Sequence, residues 1–146
     1  MIATGSESTP LPGVDIDEEK IVTSTGALCL SKVPEHLVVV GGGYIGLEMG
    51  SVWGRLGAKI TVVEFLDRIV PAMDREVADE MHKTFEKQGM IFRLGTKVTE
   101  AKPSKNGVTL TVEPATGGEP ETIECDVVLS AIGRRPFTSG LGLEEL

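Results

Sequence analysis

The chain has 146 residues, of which 40% are apolar and 25% charged, and it carries a net charge of −8. That length predicts one domain with its own core, and the acidic balance argues against nucleic acid or anionic membrane as a partner, since either needs a basic face. No apolar run approaches the roughly 18 residues of a membrane span, and the first residues lack a charged-then-apolar signal pattern, so a soluble intracellular protein is expected.

Residues 1–36 read as irregular. Ile2-Ala3-Thr4-Gly5-Ser6 has the pattern of a buried strand ending in a turn, and Pro10, Pro12 and Gly13 punctuate a loop. Asp17-Glu18-Glu19-Lys20 reads as a solvated charge run, and Thr23-Ser24-Thr25 as a cap for a short helix over Gly26 to Leu30. The segment has too few periodic apolar positions for a domain and reads as a connector.

Val38-Val39-Val40 is a β-branched run that ends at glycine, as a buried strand entering a sharp turn does. Gly41, Gly43 and Gly46 then form G-x-G-x-x-G where a helix begins. One glycine makes the tight turn, one lets a pyrophosphate approach the backbone, and one lets helix pack on strand. The helix N-terminus offers unpaired N–H groups and partial positive charge to phosphates. Along the helix from Tyr44 to Leu56, Ile45, Met49, Val52 and Leu56 form one stripe, Gly50 extends the close-packing face, and Gly57 stops the helix.

Lys59 to Val63 reads as the next strand, ending at Glu64 about 20 residues beyond the glycines, where an acid can take the hydroxyls of an adenosine ribose. The alternative for the whole unit is a strand–helix–strand with a tight turn and no ligand. After a loop with Asp67, Arg68 and Pro71, Asp74 suits the N-cap of a helix carrying Val77, Met81 and Phe85 and closed by Gly89. Met90 to Leu94 is a third short strand. Lys97–Ala101, Val108–Val112 and Thr122–Cys125, joined by turns such as Ser104-Lys105-Asn106-Gly107, predict an antiparallel meander. Val127 to Ile132, ending at Gly133, suits a buried parallel strand. The fold expected is α/β and Rossmann-like, a parallel sheet with helices on one face and a three-stranded antiparallel meander on the other.

Cys29 and Cys125 form no metal-ligand or C-x-x-C spacing, and Cys125 reads as a small core residue. His36 and His82 stand apart from other ligand types, so no metal is expected.

On the stretches Ile2–Ser6, Val22–Leu28, Val40–Glu48, Gly50–Trp53, Leu56–Ala58, Val62–Phe65, Thr96–Thr99 and Ala131–Thr138, the whole chain resembles the NAD-binding domain of the dihydrolipoyl dehydrogenases, flavin disulfide oxidoreductases. The resemblance implies one NAD-binding domain over 1–146, with 1–36 and 134–146 as connectors to an FAD-binding domain. It implies that Gly41, Gly42, Gly43, Ile45 and Gly46 hold the pyrophosphate, Glu64 the adenosine ribose, Val98 the adenine side, and Gly133 the nicotinamide half. Tyr44 would lie between nicotinamide and flavin, with a plain turn residue as its alternative. Glu48 would pair with a lysine of the flavin domain, with an ordinary helical acid as its alternative. Arg134 and Arg135 would meet either anionic groups or solvent. No catalytic residue is assigned within the chain. The redox Cys-x4-Cys and the His-Glu pair of such enzymes are not found in it, so NAD(H) binding without turnover, and at most weak self-association, is expected.

The implied cofactors are NAD and, in the longer enzyme, FAD. The implied partners are the FAD domain, a homodimer mate and the lipoyl domains of 2-oxo acid dehydrogenase complexes, in the bacterial cytoplasm or mitochondrial matrix. Two other functions stay open: a relative of the glutathione or mercury reductases, whose NADP-using members place basic residues after the second strand where this chain has Glu64 and Arg68, and a free-standing nucleotide-binding module.

Overall fold

The computed structural model describes residues 1–142 and Glu145. Its centre is a five-stranded parallel sheet in the order β2(Ile21–Val22)–β9(Val127–Ser130)–β3(His36–Val40)–β4(Lys59–Val63)–β5(Ile91–Arg93). In register, Val38 stands opposite Thr61 of β4 and Val128 of β9. Strands buried on both faces are near-continuous apolar runs, which is how Leu37–Val40, Ile60–Val63 and Val127–Leu129 read.

Alternate side chains of β3 serve opposite layers. Leu37 and Val39 pack with Leu47, Ile60 and Leu129 beneath the helices α1 (Ser24–Leu28), α2 (Tyr44–Arg55) and α3 (Arg75–Lys87). Val38 and Val40 pack with Val63, Leu110, Val112 and Val128 beneath the meander β6 (Thr96–Ser104), β7 (Gly107–Pro114) and β8 (Glu121–Cys125). Burying each such aliphatic side chain contributes about 1.5–3 kcal/mol. The predicted fold class is the one observed.

Four local expectations change. Ile2 to Ser6 is exposed rather than buried, because β1 (Ser6–Ser8) forms only a two-stranded antiparallel ribbon with β10 (Arg134–Pro136), apart from the main sheet. Inside 1–36, Ile21 and Val22 are fully buried as the edge strand of the main sheet, paired to Val128 and Leu129. Asp17 is also more than a solvated charge: its Oδ1 accepts the N–H groups of Glu19, Lys20 and Ile21, each at 2.8 Å, and so turns the chain into β2. Helix α1 begins at Ser24, two residues before the expected Gly26, and of the expected caps it is Thr23 that accepts from the Thr25 N–H, at 3.2 Å. Of the predicted connector 134–146, residues 143, 144 and 146 lie outside the described residues.

The fourth change concerns α2. Of the stripe Ile45, Met49, Val52 and Leu56, Met49 packs half-buried against the core, while Val52 and Leu56 are 49% and 58% exposed. The buried face is Gly46, Leu47 and Gly50. A Cβ on Gly46 would overlap the Gly41 carbonyl oxygen and stand 2.9 Å from Val39 Cγ1, and one on Gly50 would stand 3.3 Å from Ile60 Cγ2. The helix lies so close to β3 and β4 that two of the three residues on its buried face are glycines, with Leu47 between them. Helix α3 uses ordinary packing through Ala78, Met81 and Phe85, while Val77 is half-exposed.

Candidate functional site

The C-terminal ends of β3, β4 and β9 open onto one crevice, where open parallel sheets bind ligands. Its first part, about 440 Å3, is lined by Gly41, Gly43, Tyr44, Ile45, Glu64, Leu66, Pro71, Ile132, Gly133 and Arg134. Its second part, about 390 Å3, continues toward the meander past Gly41, Glu64 and Ile132 to Phe65, Thr96, Lys97 and Val98. Of the residues singled out by sequence, Gly41, Gly43, Tyr44, Ile45, Glu64, Val98 and Gly133 therefore meet at one surface. Gly42 and Gly46 lie buried behind it. Glu48 lies on the exposed side of α2 and lines neither part.

Each glycine of the turn has its own environment. Gly41 has φ +111°, and a Cβ there would overlap the Ala131 carbonyl oxygen. Gly46 is required by the helix contact already described. Gly43, the N-cap of α2, has ordinary extended backbone at φ −81° and ψ −179°, and a Cβ there would meet no protein atom within 4 Å. Nothing inside the fold asks for glycine at position 43; the space its missing side chain leaves belongs to the cleft.

Electrostatically, α2 ends without a side-chain cap and with no acid in its first turn, so its N–H groups and the positive end of its dipole are left for an anion. Glu64 sits beside them. Its Oε2 accepts the Gly42 N–H at 2.6 Å and its Oε1 the Leu66 N–H at 2.8 Å, which fixes the carboxylate while leaving each oxygen a further lone pair. The nearby cations are engaged: Arg68 donates to the Pro71 carbonyl at 2.6 Å, Lys97 pairs with Glu113 at 2.7 Å, and Arg134 donates to Ser6 Oγ at 2.8 Å.

The residues 1–146 match the family model described as pyridine nucleotide-disulphide oxidoreductase. The chain belongs to this family of oxidoreductases. Within the family it is similar to dihydrolipoyl dehydrogenase 3 of Pseudomonas putida and to the mitochondrial dihydrolipoyl dehydrogenase of Pisum sativum, 60% identical to each over its full length. It is also 60% identical to leghemoglobin reductase of Glycine max. The chain spans less than a third of these relatives, 31%, 29% and 28% of their lengths. Among solved structures, LpdA of Mycobacterium tuberculosis superposes with a TM-score of 0.85 at 32% identity, over 98% of this chain and 30% of that one. The HOCl-induced flavoprotein disulfide reductase RclA of Escherichia coli, as its Cu(II) complex, superposes with a TM-score of 0.84 at 31% identity, over 97% of this chain and 31% of that one.

The crevice also contains residues that sequence reasoning missed. Ile132 lines both parts because it follows β9, the neighbour of the central strand β3, and Phe65 and Leu66 follow β4; the signal available was position, two or three residues past a parallel strand. Val98 reaches the second part beside an irregularity in the meander ladder, where the register shifts between Val98 and Glu100. Such bulges re-aim side chains next to sites.

The remaining titratable groups lie elsewhere. Cys125 is buried, its thiol pushed up to about 12 by desolvation and then by the charges of Asp126 and Glu124, as befits a core residue. His36, at the start of β3, hydrogen-bonds through Nδ1 to the Glu124 carbonyl at 3.0 Å and through Nε2 to Thr61 Oγ1 at 2.9 Å. His82 packs edge-on against Phe92 with centroids 4.4 Å apart.

Proposed function

We propose that this chain is the NAD(H)-binding domain of a dihydrolipoyl dehydrogenase, with 1–36 and 134–146 leading to the FAD-binding part. The observation that carries the reading is Gly43, a glycine whose vacant side-chain space serves no packing need and faces a cleft at an uncapped helix N-terminus. In this reading the pyrophosphate lies over Gly41–Gly46 and receives the N–H groups at the start of α2. Glu64 accepts hydrogen bonds from the adenosine ribose, the adenine lies along Phe65 and Val98, and the nicotinamide half runs toward Tyr44, Ile132 and Gly133. Tyr44, 53% exposed, is free to move against an incoming ring. The exposure of Glu48 suits an ion pair with another part of the enzyme.

When bound, NAD supplies the hydride acceptor and FAD the carrier that receives electrons from dihydrolipoamide. The chain's own residues bind, orient and select. The FAD domain, a homodimer mate and lipoyl domains are partners of the longer protein in this proposal. Selection rests on Glu64: a 2′-phosphate would set negative charge against its carboxylate, and Arg68 and Lys97 are already engaged. Losing the charge-assisted ribose bonds costs about 1.5–3 kcal/mol, so NADH should bind about tenfold to hundredfold tighter than NADPH.

Gly43→Ala tests the reading. The variant should melt like the wild type, since its Cβ meets no protein atom, yet bind NADH at least about tenfold more weakly by titration calorimetry. Unchanged NADH affinity, or FAD binding in place of NADH, would replace this proposal.

A further inference from the structure

Val70 lies in the loop after β4, only 1% exposed, with φ +38°. The left-handed region is a true outlier for a β-branched residue and persists only where the surroundings impose it, characteristically near ligand sites. This backbone directs two groups: the Val70 carbonyl accepts the Met73 N–H at 2.8 Å in the turn toward α3, and the Val70 N–H donates to the Gly42 carbonyl at 2.8 Å. That carbonyl and the Gly43 N–H share one planar trans peptide, so the two bonds point in opposite directions. Tying the carbonyl to buried Val70 turns the Gly43 N–H away from the core, at the residue that lines the cleft with open space before it. On the other side of Gly42, its own N–H is held by Glu64 at 2.6 Å. There is little slack around Gly42, because a Cβ there would stand 3.2 Å from both Glu64 Oε2 and Ile69 Cγ2.

We propose that Val70 is a positioning residue for the dinucleotide's pyrophosphate: its strained N–H holds the Gly42–Gly43 peptide so that the Gly43 N–H is presented to the phosphates. This rests on the NAD(H) reading of the cleft.

The direct test replaces the Val70 amide N–H with an ester oxygen, which keeps the side chain and removes the donor. In the 146-residue chain, NADH affinity should fall about threefold to tenfold. Adenosine, which lacks the pyrophosphate, should bind within about twofold of the unmodified chain when followed by NMR. Val70→Gly keeps the N–H and relieves the backbone, so it should hold NADH within about twofold even where loss of the buried side chain lowers the melting temperature. Unchanged NADH binding in the ester variant, an equal loss for adenosine, or an equal loss in Val70→Gly would each overturn the assignment of Val70 alone. Failure of the unmodified chain to bind NADH would overturn the cofactor reading and this inference together.

Discussion

Helices α2 and α3 follow successive strands of one sheet, yet their N-termini are finished in opposite ways. At α3 the protein supplies its own anions: Asp74 accepts the Glu76 N–H at 2.9 Å, and Glu76 lies in the first turn. At α2 the cap is Gly43, with no side-chain hydrogen bond and no first-turn acid. The helices also approach the sheet differently, α2 through Gly46 and Gly50 on either side of Leu47 and α3 through Ala78, Met81 and Phe85. The same dipole is satisfied internally at one crossover and left for a guest at the other. Close glycine packing brings the open end down to the strand ends, where Glu64 waits. A folding optimum would cap both helices, and in the NAD(H) reading proposed above the open one receives the phosphates.

The largest effect should come from making α2 end like α3. Gly43→Asp places a carboxylate where it caps the helix and meets the dinucleotide's phosphates with like charge. NADH affinity should fall by more than about a hundredfold, while the melting temperature stays level or rises. Calorimetry and thermal unfolding on one sample read both. A variant that still bound NADH normally would move the phosphates away from this helix.

The converse change is smaller. Asp74→Ala removes the α3 cap and should cost about 1 kcal/mol of stability, a drop of roughly 2–4 °C in melting temperature for a chain of this size, with NADH affinity unchanged. If Asp74→Ala weakened NADH binding as well, the two termini would be coupled and the contrast between them would not be functional.

The contrast was partly legible in the sequence. Asp74 as a cap, the glycine motif, Glu64 at the strand end and the meander turns all announce themselves within a few residues, because caps and turns are local chemistry. The face α2 presents was half legible: the glycine spacing marks Gly46 and Gly50 as the close-packing side, whereas counting apolar residues selects Ile45, Met49, Val52 and Leu56 and leaves out the buried Leu47. The two-residue strand Ile21–Val22 is too short to show a period, and its place at the sheet edge comes from pairing with β9, over 100 residues away in sequence. Ile69 and Val70 tuck beneath the glycine turn, each 1% exposed, although their loop reads as surface. The position of Val98 depends on a ladder irregularity that only pairing reveals. Each of these is a tertiary effect overriding a local one.

The smallest prediction concerns the other end of β3, where His36 lies about 16 Å along the strand from the glycine turn. Burial, and next the charge of Lys59, hold the His36 imidazole below its ordinary value, against the raising influence of the Glu124 carbonyl and Asp126. The neutral ring fits: Nδ1–H donates to the Glu124 carbonyl and Nε2 accepts from the Thr61 hydroxyl. Because the folded value lies below the unfolded one, the unfolded chain takes up the proton first as pH falls. The stability due to His36 is therefore full above about pH 6.5, the unfolded value, and is lost progressively below it until the folded ring also protonates. Asp17 acts with the same sign at lower pH: burial raises its carboxyl, but the N–H groups of Ile21, Glu19 and Lys20 outweigh that and hold it below 3.8. Between pH 7.5 and 5.5 the melting temperature should thus decline, and His36→Asn, which keeps a donor for the Glu124 carbonyl and cannot titrate, should decline less. NADH affinity over the same range should be the same for wild type and variant, because the ring acts on the foot of the strand and not on the open helix end. A variant as pH-sensitive in its melting temperature as the wild type would remove His36 from this account, and a variant altered in NADH binding would show that the two ends of β3 are not independent.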